Sequence, residues 1–89
     1  MPMAKYKISF KKSVAKDLTA LPKADIKKIL AKIDSLAENP RTEGAIKLSG
    51  QDLYRIRQGL YRIIYEIKDS QLVVHVIKIG HRADIYKHI

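Results

Sequence analysis

Arg55, Arg57 and Arg62 are the side chains of this chain most suited to binding an anion. They lie in Leu53-Tyr54-Arg55-Ile56-Arg57-Gln58-Gly59-Leu60-Tyr61-Arg62-Ile63-Ile64-Tyr65, which reads as two strands joined by Gln58-Gly59. A two-residue hairpin turn at that point sets Arg57 opposite Leu60, Ile56 opposite Tyr61 and Arg55 opposite Arg62. Like charges facing each other across an antiparallel ladder destabilise it, so this face gains nothing for folding. Its complement is an anion, and a nucleic-acid phosphate is the first candidate. The alternative is a solvated sheet face from which the arginines splay apart, and these three residues alone do not choose between the two.

A second group follows the last strand: Gly80-His81-Arg82, with Tyr86 four residues beyond Arg82. Strand ends and the loops after them often carry sites. His81 has an ordinary pKa of about 6.5, so it can give or take a proton near neutrality. A plain surface histidine and a core aromatic are the competing readings of His81 and Tyr86. His75, in the middle of an apolar strand, reads as a partly buried structural histidine. The three histidines lie at 75, 81 and 88 on elements that do not converge, and no thiolate or carboxylate cluster completes a set, so neither a metal nor a cofactor is expected. There is no Gly-rich phosphate loop, no Ser/His/Asp or Cys/His set and no acidic pair for two-metal hydrolysis.

What remains is an arginine-rich set with one tyrosine and one histidine. It suits RNA cleavage by the RNA's own 2′-hydroxyl, which attacks the adjacent phosphorus and leaves a 2′,3′-cyclic phosphate and a 5′-hydroxyl. Such a site must hold the phosphate in line, neutralise charge on its oxygens and move two protons. Arginine meets the second need through its forked donors, but it does not deprotonate at working pH and is a poor base.

The composition agrees with a polyanion partner. Eighteen Lys+Arg against nine Asp+Glu give a net charge of +9 over 89 residues, a field that attracts RNA, DNA, an anionic membrane surface or an acidic protein. The basic residues are spread over several elements rather than gathered on one amphipathic anchor, which disfavours the membrane. Residues 1–89 are expected to form a single domain with one small core. The chain has no cysteine, no apolar stretch of membrane-spanning length and no signal-peptide run, and is expected to be soluble and cytoplasmic.

The elements that position these residues are read from periodicity. Tyr6, Ile8 and Phe10 alternate with Lys5, Lys7 and Ser9 as a half-buried strand. Val14, Leu18 and Leu21 mark a short helix, which Pro22 ends while opening the next. Ile26, Ile29, Leu30, Ile33, Leu36 and Ala37 form the apolar stripe of a second helix, stopped at Asn39-Pro40. Residues 39–52 read as a loop carrying Arg41 and Lys47. Strands are expected over about 53–58, 60–67 and 71–79, with Asp69-Ser70 as the second turn and Gly80 breaking the last strand, followed by a tail of residues 81–89. On that register Tyr65 faces Val74 and Ile63 faces Val76. Tyr54, Ile56, Tyr61, Ile63, Tyr65, Ile67, Leu72, Val74 and Val76 then share the face that packs on the helices. Arg55, Arg57, Arg62, Leu60, Ile64, Glu66, Val73, His75 and Ile77 share the other.

Two blocks carry a family resemblance: Lys47-Leu48-Ser49-Gly50 through Tyr65, and Val76 through Tyr86 with its Gly80-His81-Arg82 and Tyr86. Together they resemble the RelE/ParE superfamily of type II toxin–antitoxin toxins. The resemblance implies a β-α-α-β-β-β fold of the α+β class, a mostly antiparallel sheet with a two-helix hairpin packed on one face. It implies a metal-independent mRNA endonuclease acting in the ribosomal A site and neutralised by an antitoxin. Catalytic positions carry over to Arg55, Arg57, Arg62, Arg82 and Tyr86, with His81 beside them. The best-known RelE-type enzyme has lysines where this chain has Arg55 and Arg57, so the base falls to Tyr86, with His81 as the competing base or as the acid. Arg62 and Arg82 would stabilise the phosphorane, Arg55 and Arg57 would grip the backbone, and Arg41 and Lys47 would add outer RNA contacts. A ParE-like inhibitor of DNA gyrase and an inactive RNA- or antitoxin-binding homologue are the alternatives.

Overall fold

The computed structural model describes residues 5–48 and 52–81, so Arg82, Tyr86, His88 and the rest of the expected tail beyond His81 lie outside the described residues, as do residues 49–51 of the expected loop. The chain runs β1 (Lys7–Phe10), α1 (Lys12–Thr19), α2 (Lys23–Ser35), β2 (Ile46–Lys47), β3 (Leu53–Gln58), β4 (Tyr61–Lys68) and β5 (Val73–His81). The sheet order is β1-β5-β4-β3-β2. The β1–β5 pair is parallel and every other pair is antiparallel. This is the expected α+β arrangement, with a short additional strand, β2, inside the segment read as loop. Two residues are too few to show a period of two, so no alternation in the sequence announces that strand.

Pro22 stands immediately before α2, where its carbonyl accepts the N–H groups of Asp25 and Ile26, both at 3.0 Å. Its φ of −60° suits that position, and having no N–H costs it nothing there. Asp25 in the first turn complements the positive end of the helix. Ile29 and Ile33 of α2, with Leu36 and Ala37 just after it, are buried; Leu30, expected in the stripe, is 40% exposed. Phe10 is likewise 44% exposed, whereas Tyr6 and Ile8 pack against the core.

The core joins Val14 of α1 and Ile29, Ile33 and Leu36 to Ile56, Ile63, Tyr65, Ile67, Val74, Val76 and Ile79 on one sheet face. Alternation therefore assigns the faces correctly, while the registers differ from expectation. The β3–β4 turn is Gly59-Leu60, not Gln58-Gly59, and pairs Ile56 with Ile63 and Arg57 with Arg62. Gly59, at φ +61°, supplies the positive φ that the first central residue of a type II′ hairpin turn needs. A slip of two residues leaves every side chain on its face, which is why the core assignment survives.

The second turn is longer than two residues. A 3₁₀ turn at Asp69–Gln71 and Leu72, left-handed at φ 52°, precede β5, and Leu72 is 38% exposed rather than in the core. Tyr65 consequently pairs with Val76 rather than Val74, and Ile63 with Ile79 rather than Val76. A bulge breaks the register between Ile64, which pairs Lys78, and Tyr65, which pairs Val76. Ile77 is the extra residue, and the shift brings Ile79 into the core. Gly80 does not end the strand: β5 continues to His81.

β1 pairs only Val73 to Val76 of β5, so among the described residues no strand lies along the outer edge of β5 beyond that point. Helix α1 covers this edge. Its Asp17 accepts the Ile79 N–H at 3.2 Å and the Lys78 ammonium at 3.3 Å, which satisfies a backbone donor that an edge strand leaves open.

Candidate active site

The face of the sheet away from the core cluster gathers the three arginines of β3 and β4. Arg57 pairs Arg62, and Arg62 pairs Gly80, so this row carries two guanidinium groups and a residue without a side chain. The next row runs from Ile46 of β2 through Arg55 and Ile64 to Lys78. The like-charge pair expected for Arg55 and Arg62 is thus made by Arg57 and Arg62 instead. Arg57 is exposed, while Arg55 and Arg62 are half-buried with their Nε atoms shielded from solvent. Ile64 in the middle of this face is 1% exposed. A basic face with an apolar floor holds its cations in a less polar setting than open water, which strengthens their attraction for a phosphate.

The other expected site residues within the described chain sit elsewhere. His81 pairs Tyr61 on the last rung of the β4–β5 ladder, and its ring meets the Tyr61 ring edge-to-face, with centroids 6.2 Å apart at 85°. Tyr61 packs against the core cluster, so His81 belongs to the helix-bearing face and Arg62 to the opposite one. The Tyr61 hydroxyl donates to Asp25 Oδ2 at 2.8 Å, and that bond to a carboxylate, with desolvation, raises the phenol's pKa.

Arg41 is engaged at the far end of the hairpin. Its two terminal nitrogens donate to Asp69 Oδ1 and Oδ2 at 3.0 and 2.7 Å, its Nε donates to the Tyr54 hydroxyl at 3.3 Å, and its guanidinium carbon lies 5.6 Å from the Tyr54 ring centre. The Tyr6 hydroxyl also donates to Asp69, at 2.6 Å. The bonds from Arg41 and then Tyr6 hold the Asp69 carboxyl down at about 2. Tyr54 stacks on Tyr65, whose hydroxyl donates to the Pro40 carbonyl at 2.6 Å. Burial pushes the Tyr65 phenol up to about 12. Lys47 pairs Tyr54 across the β2–β3 ladder and is exposed at the sheet edge, while its neighbour Ile46 stands beside Arg55.

His75 is half-buried, with Nδ1 2.7 Å from Ser9 Oγ, a structural contact between β5 and β1. Among the described residues, no three His, Cys, Asp or Glu side chains gather where a metal ion could be held, and no helix is long and apolar enough to cross a membrane.

Asp25 has no part in the sequence reading, and Tyr61 and Asp69 enter it only as a core-face residue and a turn residue, without the partners the structure gives them. Tyr61 and Asp25 are 36 positions apart and Arg41 and Asp69 28 apart, so no local pattern in the sequence announces either contact.

Comparison with known proteins places this architecture in a class. Residues 8–86 match the family model of the ParE toxin of type II toxin–antitoxin systems, parDE, and the chain belongs to that family. It is 33% identical over 86 residues to the mRNA interferase toxin RelE of Escherichia coli K12, covering 91% of this chain and 90% of that protein. In fold it is similar to the toxin–antitoxin complex RelBE2 of Mycobacterium tuberculosis, with a TM-score of 0.81 at 26% identity, covering 92% of this chain and 97% of that one. The archaeal RelE–RelB complex of Pyrococcus horikoshii gives a TM-score of 0.76 at 32% identity, covering 90% and 97%.

Proposed function

We propose that this toxin is a metal-independent endoribonuclease that cuts mRNA in the ribosomal A site, in the cytoplasm, and is held inactive by a cognate antitoxin. The observation that carries the reading is the Arg57–Arg62 pair, reinforced by Arg55 on the same face. Three guanidinium groups on one face offer the forked donors that suit a phosphate. Similarity to an mRNA interferase supports RNA as that ligand, and likeness to toxins solved with their antitoxins supports the protein partner.

In this reading the RNA's 2′-hydroxyl attacks the adjacent phosphorus in line. Arg62 and Arg82 stabilise the charge on the equatorial oxygens, and Arg55 and Arg57 grip the flanking backbone. Tyr86 takes the 2′-hydroxyl proton, its phenol made more acidic by neighbouring cations. The P–O bond to the 5′-oxygen breaks, leaving a 2′,3′-cyclic phosphate, and the 5′-oxygen takes a proton from water. His81 is given no proton transfer, because its register assigns it to the helix-bearing face. Lys47 pairs Tyr54 and so stands on the helix-bearing face, away from the three arginines, and Arg41 is engaged by Asp69.

The test is induced expression with mapped mRNA ends, and the same mapping in a translating extract. Wild type should arrest growth and cut within translated mRNA, and Arg62→Ala, Arg82→Ala and Tyr86→Phe should each lower cutting by about 10²–10³-fold. Full cutting by all three would reject the site. Intact mRNA together with inhibited supercoiling by purified gyrase would favour the gyrase reading, which the name of the matching family keeps in view.

A further inference from the structure

The helix-bearing side of the molecule carries a basic groove separate from the arginine face. It lies between α2 and the end of β3 and is lined by Lys28, Ala31, Lys32, Ser35 and Gln58. Their four-residue spacing sets Lys28 and Lys32 one above the other on the flank of α2, beside the buried Ile29 and Ile33. Like charges at that spacing weaken a helix slightly, so helix formation does not favour the pair. No carboxylate lines the groove, and neither lysine is in an ion pair among the described residues. The adjoining cleft at the hairpin turn shares Lys28 and Gln58 and holds one carboxylate, Asp25, whose Oδ2 accepts the Tyr61 hydroxyl at 2.8 Å. Ser35 Oγ donates to the Lys32 carbonyl at 2.6 Å, so the donors left to a ligand are the two ammonium groups and the Gln58 amide. Two cations and an amide N–H in one groove match the charge and the acceptors of a phosphodiester.

Gln58 joins this groove to the arginines. It pairs Tyr61, which packs against the core cluster, so its side chain is on the helix side; Arg57, the residue before it, is exposed on the other. β2 pairs β3 only at Tyr54 and Arg55, so among the described residues no strand lies along the edge of β3 at Arg57 and Gln58.

We infer that the groove of Lys28, Lys32 and Gln58 is a second RNA-backbone site, entered by the strand as it crosses this edge from the arginine face. The inference rests on the reading of that face as an RNA site. A single-stranded RNA fits better than a folded acidic protein, because the two basic surfaces lie on opposite faces of the sheet and meet at one strand edge. A flexible chain with a charge at every link can follow a track that turns from one face to the other.

The test reads binding apart from cleavage. The probe is a labelled, single-stranded 2′-O-methyl oligouridylate long enough to cover both sites, which has no free 2′-hydroxyl to attack phosphorus. Full-length wild type, Lys28→Ala/Lys32→Ala, Lys28→Arg/Lys32→Arg and Lys23→Ala/Lys27→Ala are titrated at several salt concentrations, with melting temperature as the folding control. Losing two phosphate contacts to a single strand lowers the slope of log affinity against log salt by about 1.4, which is roughly 10- to 30-fold in Kd at about 0.1 M salt. Lys28→Ala/Lys32→Ala should show that loss, and the arginine pair should bind like wild type. Lys23→Ala/Lys27→Ala removes the same charge from the same helix outside the groove and should change Kd far less. The Gln58 side-chain amide resonances should move in wild type when the probe binds.

Equal losses in the two alanine pairs would reduce the effect to net charge and overturn the inference, as would Gln58 resonances that RNA leaves unmoved. Poly-glutamate bound as tightly as the RNA, with the same dependence on Lys28 and Lys32, would give the groove to an acidic protein instead. If Lys28→Ala/Lys32→Ala binds the probe like wild type while wild type cuts mRNA, the groove alone fails. If the groove losses appear but wild type leaves mRNA intact, the nuclease reading alone fails.

Discussion

Arg57 and Arg62 face each other directly across the β3–β4 ladder. Opposed like charges weaken a ladder, so truncating one should help the fold. Arg57, the more exposed of the two, is the cleaner choice. Arg57→Ala should raise unfolding free energy by about 0.2–1 kcal/mol, read by urea denaturation. It should also weaken RNA binding and lower the slope of log affinity against log salt by about 1. A variant both less stable and unaltered in salt slope would contradict the anion-site account of this face.

The bulge in β5 makes neighbouring isoleucines unequal. Ile79 is 2% exposed within the core, while Ile77 is half-buried and outside the core cluster. Ile79→Ala should cost about 2–5 kcal/mol and Ile77→Ala markedly less. Equal losses by denaturant titration would place the bulge elsewhere.

Asp69 contributes to the acid limb of stability. Its carboxyl is held at about 2, chiefly by Arg41, against an ordinary 3.8. A depressed carboxylate contributes stability that is present above the unfolded pKa and lost as pH falls through the folded one. The melting temperature should therefore fall between about pH 4 and 2 more steeply in wild type than in Asp69→Asn, with the two curves converging at the acid end. Parallel curves over that window would rule out the contribution.

Tyr65 contributes to the alkaline limb with the opposite sign. Burial pushes its phenol from 10.0 to about 12. Stability tied to the neutral phenol is full below pH 10 and lost as pH rises through 12. Tyr65→Phe should lack that loss. At neutral pH it should cost about 1–3 kcal/mol, because the buried Pro40 carbonyl loses its donor.

The legible part of the sequence was its alternation. Ile56, Ile63, Tyr65, Ile67, Val74 and Val76 were assigned to the core face from a period of two, and the structure agrees. Register was not legible, because it depends on where a turn begins: Gly59 serves either as the second residue of a Gln58-Gly59 turn or the first of Gly59-Leu60, and the same letters fit both. The bulge at Ile77 leaves no composition signal at all. The arginine face was foreseen because its members lie close in sequence, whereas the Asp25–Tyr61 and Arg41–Asp69 contacts join segments no local pattern connects. The placement of His81 opposite to Arg62 followed from the bulge and so escaped the sequence reading as well.

The parallel pairing of β1 with β5 has a kinetic consequence. Ser9 and His75, which touch across that pair, are 66 positions apart. During synthesis the first strand made must wait for the last before it can dock, and contacts of such wide separation make for slow folding. Newly made chains thus pass through an interval in which the helices and the central hairpin exist without a closed sheet.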